Sequence, residues 1–294
     1  MQKKRYERLG ARYGWMVLLV FVLLVLVSGG IVLFSMGAKA DVSRLTVLSV
    51  GDPMVIWSRD PAGRGFIKIT IPAAVQVDAV GGYGRYSLDA LWKLGEMDKK
   101  SAALVQKSLE EAFGVPIPWY LDTSGQRFLP RTNMPITMLL IWLWNTRSIR
   151  PDQMKEIVMN RQTGLMETAQ PDGVGVEVLD PDRIDTALGS LFEDEAIRRE
   201  HLSATVYNTT EMPTLGKRVG RLLNRMGIFV VRVGNDTPRV DQCVVSGEQS
   251  VLQSVTARVV AAALDCQLVV KPSDAGDLEI RVGLRYEKRF LSSP

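Results

Sequence analysis

The sequence predicts an α/β fold: one N-terminal transmembrane helix followed by two extracytoplasmic α/β domains. Three observations carry this. An uncharged apolar run of membrane-spanning length follows a basic tail, β-branched and alternating runs separate stretches of helical periodicity, and a new strand–helix–strand unit begins near residue 201. The chain has 294 residues, 46% of them hydrophobic and 23% charged, which excludes wholesale disorder and leaves apolar material for two cores.

Residues 1–14 form the tail. Lys3, Lys4, Arg5, Arg8 and Arg12 stand against one acid, Glu7, so the tail holds the whole net charge of +4 and the rest of the chain is neutral. A neutral body lacks the basic footprint of a DNA binder, and no nucleic-acid partner is expected. Residues 15–36 carry no charge and suffice to cross the ~30 Å hydrocarbon core as a helix. The cations before them predict a cytoplasmic N-terminus, and Trp15 stands where an interfacial anchor belongs. Ala38-Lys39-Ala40 also resembles a signal-cleavage site, although the apolar run is longer than the ~7–15 residues of a secretory core. Anchored or cleaved, residues 41–294 lie outside the cytoplasm; the expected location is the cell membrane, single-pass, with the bulk of the chain extracytoplasmic. Cys243 and Cys266 both fall in that part. In an oxidising compartment they are candidates for one disulfide, the alternative being two unlinked buried thiols.

The first domain is expected over 41–160. Strands are predicted at 45–50, 55–58 and 66–71, with turns at Gly51-Asp52-Pro53 and Pro61-Ala62-Gly63; Lys68 and Thr70 alternate with apolar residues and mark one solvated face. Gly81-Gly82-Tyr83-Gly84 breaks the pattern. Helices follow at 87–94 and 99–113, the second with Asp98 as N-cap, Gly114 as stop, and Val105, Leu109, Ala112 and Phe113 on its core face. The uncharged stretch 134–144 is too short to span a bilayer and is expected as a buried core helix, the alternatives being a helix lining an apolar groove or lying at the membrane surface. Residues 161–200 are assigned to a linker and short helix: 160–185 are rich in Gly, Asp, Pro and Thr, and an acidic helix is predicted near 185–200.

The second domain is expected over 201–286. A strand at 203–208 leads to a helix whose Leu215, Val219, Leu222, Leu223 and Met226 share one face; Gly227 stops it before a strand at 228–233. A strand from Cys243, a helix near 249–264, and strands at 266–270 and 278–284 complete a small α/β sandwich.

The run Ala204-Thr205-Val206-Tyr207-Asn208-Thr209-Thr210, then Gly216, then Arg221 through Gly227-Ile228-Phe229-Val230-Val231-Arg232-Val233-Gly234-Asn235, resembles the LytR C-terminal domain over about residues 204–284. Residues 45–121 resemble, less closely, the start of the LytR-CpsA-Psr domain: Ile69-Thr70-Ile71-Pro72, the Gly81–Arg85 loop, the helix 102–113, Gly114-Val115-Pro116-Ile117 and Tyr120. The resemblance implies an extracytoplasmic, membrane-anchored protein that handles glycopolymer on a polyprenyl-pyrophosphate carrier, with Arg and Asp side chains and Mg²⁺ neutralising the pyrophosphate. This sequence departs from the family where it matters: the Arg-Asp that follows Ile-Pro is replaced by Ala73-Ala74. Asp52 is the candidate stand-in for an early family Asp, and Arg59, Arg64 and Arg85 are candidate anion or pyrophosphate ligands.

No other catalytic pattern emerges. The glycine loop lacks the Lys-Ser/Thr of a P-loop, Glu110 and Glu111 point differently on a helix, His201 has no Ser or Asp partner at motif spacing, and Asn208-Thr209-Thr210 is read as a strand-end turn. The expected function is a non-catalytic binding or scaffolding factor in wall or glycopolymer assembly, without cofactor. Its partner would be a cell-wall polymer, a polyprenyl-linked glycan or an envelope protein. The alternative is a divergent phosphotransferase that uses Mg²⁺ and moves glycopolymer from the carrier to the wall.

Overall fold

The structure is a computed structural model that describes residues 44–59, 65–98, 102–124, 130–147, 149–170 and 173–290. The tail, the apolar run 15–36 and Arg64 lie outside the described residues. Among the described residues no helix is long and apolar enough to cross a membrane. The chain divides into two compact units: residues 42–134 with 148–294, and a unit that includes 135–147.

The larger unit is a mixed α/β assembly of three sheets and two hydrophobic cores. Its first sheet grows from a three-stranded meander, β1 (Leu45–Val50), β2 (Met54–Arg59) and β3 (Phe66–Ile71), antiparallel throughout. Alternation sets the faces: Met54, Ile56 and Ser58 are buried, while Val55, Trp57 and Arg59 are half-buried. Beside β1, in parallel, lies β6 (Trp119–Asp122), with β7 (Arg131–Thr132) beyond it; β8 (Met154–Val158) runs parallel to β3 at the other edge. Lys68 reaches Glu156 of β8 at 2.7 Å, so the solvated face of β3 carries a cross-strand ion pair.

A second sheet begins with the hairpin β4 (Gln76–Ala79) and β5 (Gly84–Ser87), whose turn places Gly81, Gly82 and Gly84 at positive φ. Helix α1 (Leu88–Met97) and helix α2 (Ala103–Phe113) follow. Asp98, expected to open the second helix, instead ends the first, its N–H donating to the Leu94 carbonyl at 3.0 Å. Gly114 stops α2 in the left-handed region at φ 62°. Leu109 and Phe113 are fully buried against Leu48, Ile56, Ile69 and Ile71 of the meander.

The expected linker over 161–200 is corrected. Its first half forms β9 (Leu165–Ala169) and β10 (Gly175–Leu179), an antiparallel pair that joins the second sheet beside β4. Helix α4 then runs over Pro181–Leu188, after α3, the helix Ile136–Arg147 of the separate unit. The Asp180 side chain caps α4 by accepting from the Asp182 N–H at 3.0 Å. Each strand is only five residues long, so the turn residues between them dominated the composition. The first core continues to Leu188 and Phe192. The single acidic helix expected near 185–200 is two: α4 ends at Gly189, and α5 (Glu195–Glu200) starts from its own cap, Asp194.

Helix α3 also departs from expectation. Ile136, Leu140, Leu143 and Trp144 are 66%, 49%, 47% and 78% exposed, so the segment is not a buried core helix. Lack of charge described its composition correctly but not its surroundings.

The third sheet has strand order β12-β11-β15-β13-β14: β11 (Ser203–Asn208), β12 (Phe229–Asn235), β13 (Val244–Gly247), β14 (Gln267–Val270) and β15 (Leu278–Val282). Helix α6 (Leu215–Met226) makes a parallel crossover from β11 to β12, burying Leu215, Val219, Leu222, Leu223 and Met226, the face its spacing predicted. The single helix expected over 249–264 is broken into α7 (Gln249–Leu252) and α8 (Val255–Leu264), because the Ser254 hydroxyl caps the second by accepting from the Ala257 N–H. A short α9 (Leu284–Glu287) closes the fold. Cys243 and Cys266 are disulfide-bonded, with Cα atoms 4.3 Å apart across a sequence separation of 23, tying the residues just before β13 and β14.

Candidate functional site

Of the four candidate anion ligands, the three within the described residues, Asp52, Arg59 and Arg85, lie on separate elements. Asp52 is exposed in the β1–β2 turn, whereas Arg59 ends β2 opposite Leu45, at the far end of the same hairpin. Six residues of strand separate them by about 20 Å. Arg59 lies over the Phe66 ring at 5.7 Å. Arg85 belongs to the second sheet and is paired with Asp78 at 2.9 Å across the β4–β5 hairpin. Arg64 is outside the described residues. Ala73 is buried in the turn after β3, where the Val75 N–H donates to the Pro72 carbonyl at 3.1 Å. The donors among the described residues do not fit the Mg²⁺ that the resemblance implies. Among the described residues no three His, Cys, Asp or Glu side chains converge to hold a metal.

What the structure does assemble is a charged junction between the two cores. From the first come the C-terminus of α2 and Asp185 of α4; from the second comes one face of α6, carrying Arg218, Arg221 and Arg225. The Arg221 Nε donates to both Asp185 oxygens at 3.0 and 2.8 Å. Its Nη1 and Nη2 donate to the carbonyls of Glu111 at 2.8 Å and Ala112 at 2.9 Å, satisfying the end of α2. Arg225, with only 6% of its side chain exposed, shares Asp185 and donates to the Gly189 carbonyl at 2.7 Å. Burial pulls the Arg225 guanidinium down from its usual value, and Asp185 opposes the shift. Glu111 is pushed up from the carboxylate range by desolvation, although Arg218 at 3.0 Å holds it down in part. Glu110, also buried, accepts from the Ile117 N–H at 3.0 Å and meets Lys107 and Arg289. These arginines were missed in the sequence. The signal was there: positions 218, 221 and 225 repeat at helical spacing along one flank of the apolar face of α6.

Beside the junction an open cavity of about 590 Å³ is lined by Arg44, Ser190, Glu193, Arg198, Arg199 and His201, among others. Arg198 pairs with Glu193 at 3.0 Å and Arg199 with Glu195; Arg44 donates to the Glu193 carbonyl at 2.9 Å and lies over the Phe192 ring. The His201 ring makes no hydrogen bond among the described residues.

Next to the cavity, Glu200 ends α5 and caps α8. It accepts from the Val255 N–H at 2.7 Å and from the Thr256 N–H and hydroxyl at 2.8 and 2.6 Å. Desolvation opposes its ionisation, but these hydrogen bonds outweigh it and hold the carboxyl below its ordinary value of 4.5. A carboxyl depressed by folding contributes stability above its unfolded pKa and loses it as pH falls through the lower folded value. Glu200→Gln is therefore expected to cost about 1 kcal/mol at neutral pH, a cap's worth at a partly solvated site. The cost shrinks as pH drops below 4.5. Denaturant midpoints of both proteins across pH 3–7 check this, and a pH-independent difference would refute the assignment.

Fold and site together define a two-core α/β protein with a mixed-charge cavity beside the junction of its cores. Residues 202–286 match the family described as LytR cell envelope-related transcriptional attenuator. No curated protein sequence matches the chain. Among solved structures, Bacillus subtilis TagT is similar at 11% identity and TM-score 0.38, covering 50% of this chain and 91% of its own. Bacillus subtilis TagV is similar at 8% identity and TM-score 0.39, covering 63% and 97%. Lin1025 of Listeria innocua is similar at 10% identity and TM-score 0.36, covering 50% and 98%.

Proposed function

We propose that the protein is held in the cell membrane by residues 15–36, with a cytoplasmic N-terminus. Its two α/β domains, dividing near residues 193–196, then stand outside the cell. There it acts as a non-catalytic binding or scaffolding factor in wall or glycopolymer assembly. The observation that carries the non-catalytic reading is the turn after β3: Pro72 is followed by the methyl side chains of Ala73 and Ala74, which have no group to grip pyrophosphate or metal. The match of residues 202–286 to a cell-envelope family supports the setting. The charged cavity is the surface for a polar, charged partner, a cell-wall polymer or a polyprenyl-linked glycan.

The test uses the full chain in detergent with a polyprenyl-pyrophosphate-linked glycan and Mg²⁺, following binding and phosphate release in one sample. Binding without release is expected, and Arg198→Ala with Arg199→Ala should weaken it. Mg²⁺-dependent release that Arg85→Ala abolishes would overturn the reading in favour of a divergent phosphotransferase. Absence of both binding and release would eliminate the glycan and leave an envelope protein as the partner.

A further inference from the structure

Helix α3 reverses the usual arrangement of a surface helix. Ile136, Leu140, Leu143 and Trp144 fall at i, i+4, i+7 and i+8, one face, and that face is the exposed one. Arg147 follows at i+11 on the same stripe and is exposed too. Elsewhere in the described chain large exposed apolar residues come from strand positions or stand singly, as Met97 does at the end of α1. The sequence around α3 is biased in charge. Between Asp122 and Asp152 there are four arginines, Arg127, Arg131, Arg147 and Arg150, and no acid. Arg131 is engaged by Glu96, while Arg147 and Arg150 are exposed. Trp142 and Trp144 lie within the last two turns, just before Arg147.

We infer that the exposed stripe of α3 lies in the outer surface of an anionic bilayer. Aliphatic side chains on the exposed face, with tryptophan and arginine towards its C-terminal end, are side chains that favour a lipid interface. The arginine excess complements anionic headgroups. At twelve residues, α3 is too short to span the bilayer, so it lies along the surface. The inference goes beyond the proposed function. It rests on the anchor reading only in that residues 15–36 would hold the protein at the same membrane, and it gives the exported part a second lipid contact.

The native cysteines are both in a disulfide, so a Leu143→Cys variant offers one free thiol for an environment-sensitive nitrobenzoxadiazole label. The full chain is reconstituted in phosphatidylcholine–phosphatidylglycerol vesicles, with Met97→Cys, an exposed position on α1, as the reference. The Leu143 label should emit to the blue of the Met97 label and be quenched by doxyl-labelled lipids but not by aqueous iodide. Ile136→Glu with Leu140→Glu should abolish the blue shift. If the Leu143 label is quenched by iodide alone, with the protein still floating with the vesicles, the α3 contact is wrong and the anchor stands. Protection from both quenchers, with a cross-linked dimer, would assign the stripe to a second copy and overturn the inference. Protein that fails to float would overturn both the anchor and the α3 contact.

Discussion

Asp185→Ala is expected to destabilise the larger unit by about 2–3 kcal/mol, less than the roughly 3–5 kcal/mol of a fully buried ion pair, because Arg225 is buried but the Asp185 side chain is 37% exposed. For a body of this size that lowers Tm by on the order of 10 °C. The carboxylate is the shared acceptor of Arg221 and Arg225. Removing it leaves Arg225 charged, 6% exposed, and with its Nε already without a partner among the described residues. Arg221 keeps the carbonyls of Glu111 and Ala112 but loses its charge partner. Asp185→Asn keeps the size and one acceptor and should cost less. Pairing Asp185→Ala with Arg225→Met removes both charges, so the double variant should recover part of the loss. A loss below about 1 kcal/mol in Asp185→Ala would mean that the junction is solvated and the two cores are not fastened there.

Removing the disulfide is the second large effect. Cys243→Ala with Cys266→Ala releases a loop of sequence separation 23, worth roughly 3 kcal/mol through the unfolded chain. The loss falls on the second core, where Cys243 is buried with Val245, Val260 and Leu264. That core should therefore melt ahead of the first, and a single calorimetric transition should become two. Dithiothreitol should do the same to the unaltered protein. An unchanged scan would mean that the loop is fixed by packing alone.

The sequence disclosed elements where periodicity was long or punctuation strong. The face of α6 spans twelve residues and ends at Gly227, and the meander β1–β3 is separated by proline- and glycine-containing turns. It concealed β9 and β10, because five-residue strands gain their stability from pairing with each other and, through β10, with β4 rather than from local pattern. It misled over α3, since freedom from charge is shared by a core and by a lipid-facing surface. The separation of Asp52 and Arg59 was already implied by the hairpin, which places one in the turn and the other at the open end. The junction was harder to find, because the arginine stripe of α6 acquires meaning only when Asp185 and the end of α2 are brought against it.

The grip of Arg221 on α2 has a consequence for how this chain tolerates change. It addresses the main-chain oxygens of residues 111 and 112, which every amino acid possesses. The Arg221 contact therefore reads the helix end as a shape, while Glu111 is also held by its side chain through Arg218. Asp185 and the three arginines, by contrast, are specified by side chain. A side-chain change at 112 that preserves the helix therefore leaves the Arg221 contact in place.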